Sequence, residues 1–285
     1  MSSQQLVWLI TGTSSGLGRE LVIAALERSE KVIATARGSS LSQLEDLKAL
    51  GADVLELDVT ATLDELRAIA KKAIDIHGRI DVLVNNAGYA LLQSVEEATP
   101  QETLNQFNTN VFGPLNVARV FLPYMRERRT GTFVFLGSIG SWTPQAFSGL
   151  YNRSKFAIRG ISESFHQEIA PLGLRSICFD FGFFRTNFLS PGHRILGKAD
   201  IVGYQEIAHG AEAFCQAYDR QQPGDPKKGV RVVLDVVRGE GAAEGKAFPT
   251  DLLLGSDCRR AVQDVIQKAV VSQEEWNNIT ISTDI

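Results

Sequence analysis

Short apolar runs, rich in β-branched and aliphatic residues, alternate along the chain with longer amphipathic stretches. Residues 6–10, 31–35, 54–57, 82–84, 132–136 and 175–179 have the length and composition of strands. Between them, 18–28, 63–77, 102–125 and 150–170 have helical length and periodicity, and Pro171 with Gly173 marks where the last of these stops. Strand and helix alternating in this way predict βαβ units, which build a parallel sheet covered by helices. After Gly182 the rhythm changes: residues 183 to about 222 are rich in aromatics and broken by Pro191, Gly192 and Gly197. This stretch reads as an irregular helical lid rather than another βα unit. The tail resumes with a helix over 227–237, a short strand over 252–254 and a last helix from 256 to about 276. The expectation is an α/β, doubly wound parallel sheet of about seven strands flanked by helices. It forms one domain over 1–285, with a lid at about 183–222 after the sixth strand and an extension at about 223–285. No internal repeat or low-complexity linker suggests a second domain.

Composition narrows the partners. A chain of 285 residues with 44% hydrophobic content can bury a full core. Its net charge of −4 and the lack of a Lys/Arg block remove the electrostatic footprint of nucleic-acid or anionic-membrane binding, so a small-molecule partner is expected. Residues 1–5 are polar and the apolar run at 6–10 is far too short for a signal-peptide core or a membrane span. A soluble, cytoplasmic protein is expected. Cys178, Cys215 and Cys258 are odd in number and lack metal-ligand spacing, which speaks for inert thiols and against a disulfide framework or a metal. His77, His166 and His209 form no ligand cluster, and His193 in the lid reads as a solvated loop residue, with substrate contact as the alternative.

Two local patterns carry chemistry. The turn TGTSSGLG at 11–18 follows the first strand and opens the first helix. Gly12, Gly16 and Gly18 leave bare backbone where a pyrophosphate can approach a helix N-terminus, whose unpaired N–H groups and dipole favour anions. Thr13, Ser14, Ser15 and Leu17 complete that candidate site. The spacing is G-x-x-x-G-x-G with no lysine after it, so a P-loop is excluded, although the glycines could equally serve a tight turn and close packing. At the end of the second strand a carboxylate would bind a free ribose hydroxyl, whereas an arginine accepts a 2′-phosphate. The segment reads ATARGSS, without an acid, and Arg37 stands 19 residues after Gly18 with Ser39 and Ser40 close by. NADP(H) is therefore expected rather than NAD(H). Farther on, Tyr151 and Lys155 share one helix face at i, i+4. An ammonium there can favour the ionised phenol and bring it below its usual value near 10, towards use as an acid or base near neutrality.

With TGTSSGLG, NNAG at 85–88, Ser138 after a strand and Tyr151-x-x-x-Lys155 in this order, the chain resembles the short-chain dehydrogenase/reductase family over about 6–186. The resemblance implies a Rossmann fold and a division of labour. Tyr151 would give a proton to a carbonyl oxygen, or remove one in oxidation. Ser138 would bond the same oxygen, Lys155 would bind the nicotinamide ribose and hold the Tyr151 pKa down, and Asn110, in NTNVFG, would anchor a water-linked proton path. Asp58, with Val59 beside it, matches the family's adenine contact, since a carboxylate suits an exocyclic amine. A helix N-cap fits Asp58 as well. Asn86, Ala87 and Gly88 would pack along the cofactor, and Gly182 and Thr186 would lie with Lys155 on the nicotinamide side. Phe181 departs from the family, which has proline there. It lacks proline's fixed backbone angle, so that loop is expected to be looser or differently packed.

Trp142, Phe147, Phe183, Phe184, Phe188 and Tyr204 fall in the two segments bordering the nicotinamide. They suggest an apolar, bulky or aromatic carbonyl compound or alcohol as substrate, though aromatics that merely seal a lid would look the same. The FFRT segment and the C-terminal extension are similar to the hydroxysteroid, retinol and fungal carbonyl-reductase branches. Family members often pair through the helices at 102–125 and 150–170 into homodimers or homotetramers, while some with lids are monomers, so all three states stay open. The expected activity is NADPH-dependent carbonyl reduction, reversible to alcohol oxidation. A non-catalytic NADP(H)-binding sensor is the alternative, and nothing in sensing demands a proton donor. Dehalogenation or epimerisation is disfavoured, because related dehalogenases give up the glycine-rich turn.

Overall fold

The computed structural model describes residues 5–190 and 193–285; the lid breakers Pro191 and Gly192 lie outside the described residues, as does most of the polar start. The strands are β1 Val7–Ile10, β2 Lys31–Ala36, β3 Asp53–Glu56, β4 Val82–Asn85, β5 Leu91–Leu92, β6 Thr132–Ser138, β7 Arg175–Phe181, β8 Ile195–Leu196 and β9 Asp251–Leu254. The α-helices are α1 Gly16–Glu27, α2 Glu45–Ala49, α3 Leu63–His77, α4 Pro100–Phe107, α5 Gly113–Arg128, α6 Gly149–Ile169, α7 Val202–Tyr218, α8 Pro226–Arg238 and α9 Ser256–Ile281. Seven strands form one sheet in the order β3-β2-β1-β4-β6-β7-β9, all parallel, and β5 pairs with β8 in a separate two-residue ladder.

Side chains alternate across a strand. Trp8 and Ile10 enter one core with Leu21 and Val22 of α1 and Val230 and Leu234 of α8. Val7 and Leu9 enter the other with Leu66 of α3, Val117 and Phe121 of α5 and Ile158 of α6. Both faces are covered, which is why β1 reads as an unbroken apolar run. The chain path reverses at β1, with β2 and β3 on one side and β4 on the other. The crevice beyond the carboxyl ends of β1 and β4 is the switch point at which such sheets bind ligands.

Local chemistry sets several ends. Thr62 caps α3, accepting from Glu65 N while Glu65 Oε2 accepts from Thr62 N at 2.9 Å, and Gly78 at φ 75° closes the helix. The single helix expected over 102–125 is instead α4, a π-turn at Asn108–Phe112, and α5. A π-turn adds a residue to the helical turn and re-aims the side chains after it. Here Asn110 becomes buried, and Gly113 follows so close to Val59 O that an added Cβ would lie 2.8 Å away.

The loop after β7 is packed rather than loose. β7 runs two residues beyond its expected end, Phe181 pairs with Leu254 of β9, and its buried ring meets Phe184 edge-on at 5.0 Å. In the 183–222 segment α7 is a regular helix of 17 residues, and Leu189, Ala208 and Cys215 pack on Ala90, Leu92 and Phe147. Among the described residues no helix is long and apolar enough to cross a membrane.

Candidate active site

A cavity of about 1340 Å³ crosses the carboxyl ends of the central strands. One wall is the glycine turn. Gly12 has φ +69° and Gly16 +60°, values that favour glycine. A Cβ on Gly12 would come within 2.8 Å of Ala87 Cα, and one on Gly18 within 2.3 Å of Asn86 Nδ2. These two glycines therefore let the 85–88 turn seat against the first turn, whereas Gly16 opens to the cavity, its nearest neighbour being Thr186 Cβ at 3.8 Å. Asn86 Nδ2 donates to Thr11 O at 2.7 Å and Gly12 O at 2.9 Å, and Thr11 Oγ1 accepts from the backbone N–H of Asn86 and Ala87, both at 3.0 Å. Ser15 makes no side-chain cap on α1, and the first turn holds no acid. The free N–H groups and positive end of α1 thus open beside Ser14, Ser15 and Leu17 in the wall. This uncapped cradle fits the pyrophosphate of a dinucleotide. Thr13 and Gly18 stand behind the wall, Thr13 fully buried with its hydroxyl on Thr35 O at 3.1 Å.

Arg37 is exposed at the end of β2 and lines the cavity with Ser40. Asp58 and Val59 line it after β3. Asp58 Oδ1 accepts from Thr60 N at 2.9 Å and Thr60 Oγ1 at 2.7 Å. It is no helix cap, since Thr62 has that position.

Tyr151 and Lys155 sit one turn apart on α6, both facing the cavity, with Ser138 at the end of β6. Ser138 hydrogen-bonds the Tyr151 hydroxyl, and Ser138 Oγ accepts from Gly140 N at 3.1 Å. Lys155 Nζ donates to Leu136 O at 2.7 Å. Burial pushes the Tyr151 phenol up to about 12, with the Ser138 bond acting against the rise and the Asp180 charge adding to it. Burial also draws Lys155 down, against the nearby Cys178 and Asp180. The expected lowering of Tyr151 by Lys155 does not appear: desolvation raises the phenol, and the opposing contribution comes from Ser138. Asn110 lies behind the pair rather than in the wall. Its Nδ2 donates to Tyr89 O and Ser154 Oγ, both at 3.0 Å, and Ser154 Oγ donates to Tyr151 O at 2.7 Å.

Asp180 of β7 is a residue that the sequence reading passed over. It is fully buried, and Oδ1 accepts from Ser138 N at 3.0 Å and Ser141 Oγ at 2.8 Å while Oδ2 accepts from Trp142 Nε1 at 2.8 Å. Arg159 Nε stands 3.6 Å from Oδ2, and the Arg159 guanidinium lies 3.8 Å over the Trp142 ring. Burial pushes the carboxyl up, and the bonds from Trp142, Ser141 and Ser138 N oppose it. The signal available in the sequence was an acid inside an apolar strand, a charge that has to be partnered.

The aromatic candidates divide. Phe183, Phe184 and Phe188 line the cavity with Gly182 and Thr186, and the Phe188 ring lies 5.7 Å from that of Tyr151. Trp142 does not line it, because its indole is held on Asp180 beneath Arg159. Phe147, at φ +64°, is buried between the body and α7. Tyr204 points away, its hydroxyl bonded to Glu96 at 2.7 Å. In their place α7 supplies Ile207, Ala211 and Phe214, an i, i+4, i+7 face that helical spacing could have marked. His193 also lines the cavity, and the described residues contain no His/Cys/Asp/Glu group able to hold a metal.

The short chain dehydrogenase family model matches residues 6–193. Oxidoreductase claN of Passalora fulva is 40% identical over 199 residues, covering 69% of this chain and 90% of that protein. The 3-ketodihydrosphingosine reductase of Bacteroides thetaiotaomicron is 36% identical over 185 residues, covering 65% of this chain and 66% of that protein. A solved short-chain dehydrogenase from Streptomyces avermitilis matches with a TM-score of 0.88 and 32% identity, covering 100% of both chains. The chain belongs to the short-chain dehydrogenase family. It is an oxidoreductase of that family, of the kind that acts on CH–OH and C=O groups with a nicotinamide cofactor.

Proposed function

We propose that this protein is an NADPH-dependent carbonyl reductase, reversible to alcohol oxidation, for an apolar and bulky or aromatic substrate. The observation that carries this reading is the Ser138–Tyr151 hydroxyl pair, set in a cavity that joins the glycine cradle to an aromatic wall of Phe183, Phe184, Phe188 and Phe214. The name of a relative, a 3-ketodihydrosphingosine reductase, is consistent with a ketone as substrate.

The cradle of Gly12 to Gly18 would hold the pyrophosphate, Asp58 and Val59 the adenine side, and Arg37 a 2′-phosphate. Asn86, Ala87 and Gly88 would flank the bound dinucleotide, and Lys155 and Thr186 would face its nicotinamide half. When bound, the nicotinamide supplies or accepts hydride. Ser138 and Tyr151 would both bond the substrate oxygen, and Tyr151, held protonated by burial, would release its proton to that oxygen as charge develops on it. Asn110 would steady the Tyr151 turn through Ser154. The aromatic wall and the 183–222 segment would keep water from the reacting carbonyl.

The test is NADPH oxidation against aromatic and polycyclic ketones, with NADH and Tyr151→Phe run in parallel. Turnover is expected with NADPH and is expected to fall by roughly 10²- to 10⁴-fold in Tyr151→Phe with NADPH affinity retained. Near-normal turnover by that variant would overturn the acid/base assignment.

A further inference from the structure

Among the described residues, two side-chain amides have both ends buried and unbonded, Asn85 and Gln222. Of the two, Gln222 lines the cavity, where it is 1% exposed. An amide carries donors on its nitrogen and an acceptor oxygen, and leaving both unpaired away from water costs stability that an apolar side chain of the same shape would not. A polar group kept at that cost on the wall of a binding cavity marks a place for a ligand.

Its place in the fold names the part of the ligand. Gln222 follows α7 and opens the segment that runs beside the loop after β7. Gly224 N donates to Phe183 O at 3.0 Å, Arg185 N donates to Gly224 O at 2.9 Å, and the Arg185 side chain donates to Gln222 O from Nε at 3.2 Å and Nη2 at 3.1 Å. The backbone of Gln222 is thereby fixed to the 182–186 loop, which ends at Thr186 beside Gly16 of the glycine turn. That loop has spent its own donors. Gly182 N is bonded to Leu254 O at 2.8 Å, Phe183 N to Asp257 Oδ2 at 2.6 Å, Arg185 N to Gly224 O and Thr186 N to Phe184 O at 2.8 Å. A nicotinamide ring carries one polar substituent, a carboxamide, whose oxygen needs a donor and whose NH2 needs an acceptor. Gln222 is a side chain held on this loop that offers both. The α7 face of the cavity, with Ile207, Ala211 and Phe214, is apolar, so the polar position at Gln222 suits the cofactor rather than an apolar substrate.

We propose that Gln222 is a cofactor-binding residue that holds the nicotinamide carboxamide, its Nε2 donating to the carboxamide oxygen and its Oε1 accepting from the NH2. This assignment rests on the function proposed above in one respect, that a nicotinamide dinucleotide fills the cavity with its ring beside Gly182 and Thr186.

The test is calorimetric titration of the full-length protein and of Gln222→Met with three ligands. These are NADP+, its 3-acetylpyridine analogue, which keeps the oxygen and lacks the NH2, and 2′-phospho-ADP-ribose, which lacks the ring. Gln222→Met is expected to raise the dissociation constant of NADP+ by roughly tenfold and to leave that of 2′-phospho-ADP-ribose unchanged. Wild type is expected to bind the acetylpyridine analogue more weakly than NADP+, because Gln222 Oε1 is then left unpaired, and the variant is expected to lose that discrimination. The Tm of the unliganded variant is expected to equal or exceed that of wild type, since the amide has no partner to lose. Titrations with NAD+ and ADP-ribose alongside make the comparison independent of Arg37. A variant that binds NADP+ as wild type does, with or without a raised KM for the ketone, overturns the assignment, and so does an equal loss for NADP+ and 2′-phospho-ADP-ribose. A wild type that binds no nicotinamide dinucleotide overturns the proposed function itself.

Discussion

In the proposed reaction Tyr151 would serve as a proton donor only while it holds its proton, and burial favours that by pushing the phenol up to about 12. Reduction would then use the phenol and oxidation the phenolate. The reduction rate is therefore expected to stay level above neutral pH and fall only far on the alkaline side, while oxidation climbs over the same range. Parallel pH profiles of kcat/KM in the two directions check this; a reduction rate already halved at mildly alkaline pH would refute it. Asp180 acts one step removed, by holding the turn from Ser138 to Trp142 through three accepted hydrogen bonds. In Asp180→Asn an amide donor replaces one acceptor and faces other donors, so Ser138 loses its fixed position. The variant is expected to lose roughly tenfold or more in kcat while keeping cofactor affinity, read from steady-state rates beside a binding titration. Equal losses in both would mean a general collapse of the site.

Asp81 ties three elements into one joint. Its carboxylate accepts from Val7 N of β1 at 2.9 Å, from Arg79 Nε at 2.9 Å and from Arg128 of α5 at 2.6 Å. Burial alone would raise its pKa, but the bonds from Arg79, Arg128 and Val7 N outweigh burial and leave it lowered. A group lowered on folding adds stability above its unfolded value and loses it as pH falls through the folded value. Asp81→Asn is thus expected to cost about 2–4 kcal/mol in denaturant unfolding at neutral pH, with the gap from wild type closing below the usual carboxylate range. A gap that persists unchanged in acid would show that the loss is steric. The π-turn at Asn108–Phe112 is a second joint, since it lets Asn110 reach Tyr89 and Ser154 from between two helices.

For the molecule as a whole, the cavity couples cofactor binding to stability. A ligand that binds only the folded state adds about 2.7 kcal/mol at a hundred times its Kd, which for a chain of this size raises Tm by roughly 4–5 °C. NADPH is expected to give such a rise and NADH a smaller one at equal concentration, and Arg37→Asp is expected to invert the order in a thermal-shift titration. Equal shifts for the two cofactors in the unaltered protein would remove Arg37 from the assignment. The 183–222 segment closes the far side of the same cavity, with Phe183 set against Phe214 at 5.7 Å and Tyr218 at 5.1 Å.

The sequence by itself determined the order of strands and helices, the glycine turn and the Tyr151/Lys155 pair. Each depends on residues within a turn or two of one another, where spacing and backbone preference suffice. The family resemblance added Ser138 and Asn110, and the fold brings Ser138 to Tyr151 directly and Asn110 to it through Ser154. Only the tertiary structure decided which aromatics face the cavity: Phe147 and Trp142 lie near Tyr151 in sequence yet are taken up by α7 and by Asp180. It also decided that burial rather than a neighbouring ammonium dominates the surroundings of Tyr151, that a π-turn interrupts the predicted helix and that Phe181 packs tightly. These outcomes rest on desolvation and on contacts between segments distant in sequence, as when Ser138 meets Asp180 or Phe181 meets Leu254. Such effects are summed over the surrounding shell of atoms, and no local pattern in the chain encodes that shell.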